Sequence, residues 1–229
     1  MHCLTIALLL CSQLPLTESA DFPKDLQEAA LSATVRITHP ATKAVASGAI
    51  VRQDGAFVYL LTAGHVAGDA EALTIELFNA KSYPKAAKTY ERAEVIARAK
   101  DPDLALLRLV TRDPMPGVLT ICPPDMLPTA REFPALTSGL GAKALELWSE
   151  VASGPKAVRK PDGTTANVWE LRRAAAPGRS GGPLVDKRGY LVGISSGRAE
   201  GKGYAVAVEE IQRFLKQNKM QRLYEAPTD

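Results

Sequence analysis

The chain has 229 residues, enough for one large domain or two small ones, each with a core of its own. Its 28 Lys and Arg against 25 Asp and Glu leave a formal charge of +3 with no basic or acidic block, so nothing in the balance calls for nucleic acid or a membrane surface as partner. The 17 Gly and 16 Pro are scattered and aromatics are sparse, which argues against a few long helices and for many short strands joined by turns.

Residues 1–20 stand apart: an apolar run over residues 4–10 ends at Cys11, and polar residues then lead to the small pair Ser19-Ala20. This pattern is that of a secretory signal peptide cleaved after Ala20, so the mature protein is expected to be exported, periplasmic or extracellular. The apolar run falls well short of the roughly 20 residues of a transmembrane helix, and no stable membrane span is expected. Cys3 and Cys11 leave with the leader, which makes an internal disulfide impossible and reads Cys122 as a half-buried apolar residue rather than a nucleophile.

After a short amphipathic start over residues 25–33, strand-like segments follow at 35–38 and 44–51. Asp54-Gly55 then marks a tight hairpin turn, with 57–62 as the return strand. Residues 73–78, 95–96 and 104–110 complete about six strands, a number that closes a small barrel, so residues 21–110 are expected to form an N-terminal β-barrel. Pro114, Pro116, Pro123, Pro124, Pro128 and Pro134 make regular structure improbable over 111–134, which reads as a connector. The remainder, 135–229, repeats the short-strand style at 145–148, 157–159, 168–172, 184–185, 190–194 and 204–208, with a turn at Pro161-Asp162-Gly163. Val208, Ile211, Leu215 and Lys219 then fall at helical spacing, with Glu209 and Glu210 early and Lys216 late, as the helix dipole prefers.

Three segments carry chemistry. Leu60-Leu61-Thr62-Ala63-Gly64-His65-Val66 places an imidazole at a strand end, Asp101-Pro102-Asp103-Leu104 leads an aspartate into a strand, and Pro177-Gly178-Arg179-Ser180-Gly181-Gly182-Pro183 sets a serine among glycines. A serine hydroxyl becomes a useful nucleophile only when a base takes its proton, which suits a near-neutral imidazole, and a buried carboxylate fixes that imidazole's tautomer. Glycines flanking Ser180 allow the N–H groups of Gly178 and Ser180 to converge on one developing oxyanion. Each element alone is ordinary; a histidine after a strand is more often structural, and Asp103 alone could merely terminate a strand. Together, in the order His, Asp, Ser, they point to nucleophilic acyl transfer.

In that order the segments resemble the trypsin-like (chymotrypsin-fold) serine peptidases, and more closely the bacterial Deg/HtrA-like branch. The resemblance rests on these segments with Ala46-Ser47-Gly48-Ala49-Ile50-Val51 and Val192-Gly193-Ile194, and covers about residues 30–218. It implies an all-β fold of two perpendicular six-stranded β-barrels with a C-terminal helix, and an endopeptidase working through an acyl-enzyme on Ser180 with His65 and Asp103. It further implies an oxyanion hole at Gly178 and Ser180, and residues Ser195, Ser196 and Gly197 as the strand on which a peptide substrate lies. The specificity pocket would have its base at Ala174. No metal or cofactor is implied, and the expected partners are protein or peptide substrates. Without an acid between Leu171 and Gly178, small or aliphatic substrate residues are expected rather than Lys or Arg. Arg179 stands where the family usually has Asp or Asn, which opens a second reading, a catalytically silent peptide-binding module. With Asp229 as its last residue, the sequence is expected to lack the peptide-binding PDZ domain that usually follows in that branch.

Other hydrolase classes fit less well. A Gly-x-Ser-x-Gly esterase elbow needs its histidine after the serine, and the three histidines, His2, His39 and His65, all precede Ser180. A subtilisin-like order would need an acid before His65, where Asp54 sits in the expected turn. A metal hydrolase lacks closely spaced ligands. His39, in Thr38-His39-Pro40, reads as a loop residue and a weaker alternative base.

Overall fold

The computed structural model describes residues 22–78, 82, 84–141, 145–159, 165–174 and 176–225. The expected leader and the Pro161-Asp162-Gly163 turn lie outside the described residues.

A short helix, α1 (Lys24–Ser32), precedes six strands: β1 (Thr34–Thr38), β2 (Val45–Asp54), β3 (Phe57–Thr62), β4 (Ala72–Leu77), β5 (Lys88–Ala99) and β6 (Leu104–Val110). They close a barrel in the order β1-β2-β3-β6-β5-β4. One helical turn, α2 (Gly64–Ala67), follows β3. The second barrel is built from β7 (Glu132–Leu140), β8 (Leu145–Arg159), β9 (Thr165–Leu171), β10 (Pro183–Asp186), β11 (Leu191–Ala199) and β12 (Lys202–Ala207). It closes in the order β10-β11-β12-β9-β8-β7. The all-β fold of two closed six-stranded barrels with a C-terminal helix, α3 (Val208–Gln217), is therefore present.

The two-residue side-chain period of a strand explains how the barrels share apolar material. On β3, Val58 and Leu60 point into the core of the first barrel, while Tyr59 and Leu61 join the larger core that continues into the second. On β6, Ala105, Leu107 and Leu109 take the first core, and Leu104 and Leu106 the second. Both faces of these strands are thus buried, which is why they read as unbroken apolar runs rather than alternating ones. Trp169 anchors the second core: it is fully buried, its indole N–H donates to the Val192 carbonyl at 2.9 Å, and Phe133 meets its ring edge-on at 5.0 Å. Helix α3 closes that barrel with Val208, Ile211, Phe214 and Leu215 buried. Its buried Glu210 carboxylate accepts from the Asn167 backbone and side chain and from Arg213, so the charge does not go unpaired.

Several expected boundaries move. The hairpin turn falls on Gly55-Ala56, one residue later than the Asp54-Gly55 signal, because Asp54 pairs with Phe57 and Gly55 supplies the left-handed φ of +58°. Strand β7 begins inside the stretch read as a connector. Pro134 is tolerated there because it pairs with Val151 of β8 but lies one residue past Ala135, the last position paired to β10. The two short strands expected at 145–148 and 157–159 are one strand, β8. It serves β7 up to Ser153 and β9 from Ala152 onward, with a register shift at Gly154-Pro155.

Ser47 on β2 stitches the barrels together. Its N–H donates to the Ser180 carbonyl at 2.9 Å, its hydroxyl donates to the Gly178 carbonyl at 2.8 Å, and that hydroxyl accepts from the Leu140 N–H at 3.0 Å. Beside it Gly181 has φ +87°, and a Cβ there would lie 2.1 Å from both the Ser47 carbonyl oxygen and the Thr62 Oγ1. We expect Gly181→Ala to cost about 3 kcal/mol or more, from backbone strain and overpacking together. This would appear as a lower urea midpoint at unchanged slope.

Candidate active site

Three segments distant in sequence meet where the barrels touch. β3 ends at Thr62, and α2 turns the chain so that His65 sits against the residues entering β6. Gly64 permits this approach: a Cβ on it would lie 2.5 Å from the Ala99 carbonyl oxygen and 3.1 Å from Asp103 Oδ1. The His65 backbone N–H donates to Asp103 Oδ1 at 2.7 Å, and His65 Nδ1 faces Asp103 Oδ2 at 2.7 Å. Opposite an ionised carboxylate Nδ1 must carry the proton, which leaves Nε2 as the free acceptor.

A third donor reaches the same carboxylate. The Ser196 hydroxyl on β11 donates to Asp103 Oδ2 at 2.5 Å, a bond that crosses from the second barrel to the first. Burial pushes the Asp103 carboxyl up, but the hydrogen bonds from His65 and Ser196 more than offset this and hold it below the usual carboxylate range. The hydrogen bond to Asp103 in turn holds the His65 imidazole above its ordinary 6.5, against a smaller opposing push from burial. The sequence singled out Ser196 only as a substrate-strand residue. Nothing in its neighbourhood marks it as a carboxylate partner, because the pairing is made by the fold.

Ser180 lies in the turn before β10. Its hydroxyl donates to the Ser196 carbonyl at 3.3 Å rather than to His65. Ser196 therefore touches both ends of the arrangement, Asp103 through its side chain and Ser180 through its backbone. Around Ser180 the carbonyls are tied down: Gly178 and Ser180 to Ser47, Arg179 to the Gly182 N–H, Ser195 to the Gly181 N–H. Among the described residues the N–H groups of Gly178 and Ser180 donate to no protein acceptor. Gly178 has φ +89°, a backbone conformation that favours glycine.

A cavity of about 230 Å³ adjoins Ser180, lined on one side by Ala176 and Pro177 and on the other by residues 195–198 of β11. Ala174, expected at the base of the specificity pocket, lines a separate cavity of about 280 Å³ with Glu146, Trp148 and Arg179. Of the three substrate-strand residues, Ser195 is buried and its backbone is engaged by Gly181 and Gly182, whereas Gly197 is exposed with open space where a Cβ would stand. β10 pairs with β11 only as far as Ile194, while β12 accompanies it to Ala199, so among the described residues no strand lies beside one edge of β11 past Ser195. His39 is occupied elsewhere: its Nδ1 accepts the Thr42 N–H at 3.3 Å and its Nε2 lies 3.9 Å from Asp69.

A sequence model of the trypsin-like peptidase domain matches residues 46–194, well over half of the chain. The chain belongs to the trypsin-like peptidase family. Within the family it is similar to HtrA-like proteins. It is 26% identical over 181 residues to the serine protease Do-like HtrB of Bacillus subtilis, covering 75% of this chain and 38% of that one. It is 27% identical over 186 residues to the magnetosome formation protease MamE of Paramagnetospirillum magneticum, covering 77% of this chain and 24% of that one. This trypsin-like peptidase domain thus spans only about a quarter to two fifths of these relatives' lengths. Solved structures share its fold. The Rv3671c protease of M. tuberculosis in its active form aligns with a TM-score of 0.65 at 20% identity, covering 89% of this chain and 86% of that one. The HtrA-type protease AlgW with a tripeptide aligns with a TM-score of 0.65 at 22% identity, covering 87% of this chain and 64% of that one.

Proposed function

We propose that this trypsin-like peptidase domain is a serine endopeptidase with Ser180 as nucleophile, His65 as general base, Asp103 as the orienting carboxylate and the N–H groups of Gly178 and Ser180 as oxyanion donors. The observation that carries the reading is the continuous set of contacts from His65 through Asp103 to Ser196 and on to Ser180, which joins residues of both barrels. Its chemistry follows from the donors present. Rotation about the Ser180 side-chain torsion moves the hydroxyl from the Ser196 carbonyl toward the free Nε2 of His65, which takes its proton as the oxygen attacks a peptide carbonyl. The imidazolium formed faces Asp103, whose charge stabilises it. His65 then protonates the departing amine, and water, deprotonated by the same imidazole, releases the acyl group from Ser180. The unpaired edge past Ser195 suits an extended substrate that adds as a strand.

A silent peptide-binding module is the second reading, favoured by the orientation of the Ser180 hydroxyl toward Ser196 rather than His65. Catalytic hydrogen bonds are often loose without substrate, so this orientation does not decide against turnover. Residues 1–20 support an exported site of action, with proteins or peptides as substrates.

Substrate preference tests the endopeptidase reading and its pocket together. The cavity beside Ser180 is small, has no carboxylate among its described lining residues, and includes Arg198 in its wall. Profiling a peptide library should show cleavage after Ala, Val or similar residues at least ~10-fold more efficiently than after Lys or Arg, the scale on which pocket shape and like charge discriminate. An intact library after long incubation would favour the silent module, and preferred cleavage after Lys or Arg would refute the pocket assignment.

A further inference from the structure

The residue before Ser180 is a cation, and the fold builds a slot for it. The Arg179 guanidinium pairs with Glu146 of β8 and lies over the Trp148 ring, with its Cζ 3.9 Å from the ring centroid. Glu146 and Trp148 are two residues apart on one strand and so face the same way. Gly139 of β7, paired in register with Glu146, forms the floor: a Cβ on it would already stand 3.4 Å from the Arg179 Cα and Cγ. The Arg179 side chain is only 19% exposed, and its buried Nε meets no acceptor among the described residues. So desolvated a cation persists only where a carboxylate and an aromatic face hold it.

This slot bears on the chemistry because Arg179 lies between the two proposed oxyanion donors. Fixing its side chain restrains the peptide planes on either side: one carries the Ser180 N–H, and the other carries the Gly178 carbonyl, which Ser47 also holds, one plane away from the Gly178 N–H. We propose that Glu146 and Trp148 are positioning residues that hold the oxyanion loop in shape through Arg179, as an anchor contained wholly within this chain. The inference rests on the oxyanion assignment above. It turns Arg179 from an obstacle to activity into the loop's point of attachment.

Hydrogen exchange and kinetics on Glu146→Gln, Trp148→Ala and Trp148→Phe test it. Glu146 is 43% exposed, so its replacement by Gln should leave the fold intact. The informative amides are those of Arg179, bonded to Ala176, and Gly182, bonded to Arg179. Glu146→Gln and Trp148→Ala should speed their exchange ~10-fold or more and lower kcat by ~10–100-fold, with KM within ~3-fold. Trp148→Phe, which keeps an aromatic face, should stay near wild type. As a control, Glu170→Gln breaks a pair with Lys156 and Lys202 and should change neither. Unchanged exchange at Arg179 and Gly182 in both Glu146→Gln and Trp148→Ala would overturn the anchor, whatever the activity. Accelerated exchange in a chain whose wild type shows no reaction at Ser180 would uphold the anchor and sink the peptidase reading instead.

Discussion

Ser180→Ala should lower kcat on a peptide substrate by about 10⁶-fold while leaving KM within a few-fold of wild type, the scale on which loss of a nucleophile is felt in such an arrangement. The hydroxyl makes one hydrogen bond, 3.3 Å long, to the Ser196 carbonyl, so its removal costs the fold little. The variant should therefore melt close to wild type and still bind peptide. Steady-state kinetics beside a thermal melt separate this outcome from unfolding. A variant that retains turnover would mean that Ser180 is not the attacking group.

Asp103→Asn is expected to lower kcat/KM by about 10⁴-fold for a different reason. The Asn side chain can present its amide N–H to His65 Nδ1, which places the imidazole proton on Nε2, where it cannot accept one from Ser180. The pH profile should change as well. As the proposed base, His65 must be neutral to work, and Asp103 raises the imidazole above 6.5. Activity should therefore rise with pH through a midpoint above 6.5 and be lost as His65 becomes protonated below it. Without the carboxylate that limb should move to lower pH. An Asp103→Asn variant with an unshifted limb would show that another group sets the profile.

Much of this was legible in the sequence because the chemistry demands residue types that stand out. An imidazole after Ala63-Gly64, an aspartate entering an apolar strand and a serine among glycines each leave a local signature, and the strands carrying them, β3 and β6, are continuous apolar runs. β7 was hidden because Pro134 is read as a breaker unless its unpaired side is known. β5 was hidden because Lys88, Thr89, Glu91, Arg92 and Glu94 are exposed and polar, leaving only a short apolar stretch to mark it. Two features of the site had no local signal at all. Ser196 meets Asp103 across 93 positions of sequence, and Arg179 finds Glu146 only because the β7–β8 hairpin folds beside the Ser180 turn. Ala174, counted back from Ser180, lines a cavity with Glu146 and Trp148 rather than the one that Ser180 itself lines.

As proposed, Ser180 is a nucleophile activated from His65. Labelling the intact chain with a fluorophosphonate tests it most directly, with the adduct located by peptide mapping and its rate followed against pH. One adduct is expected, on Ser180, forming faster as pH rises through a midpoint above 6.5 and lost in both Ser180→Ala and His65→Ala. A wild-type chain left unlabelled, or labelled equally well in His65→Ala, would contradict it.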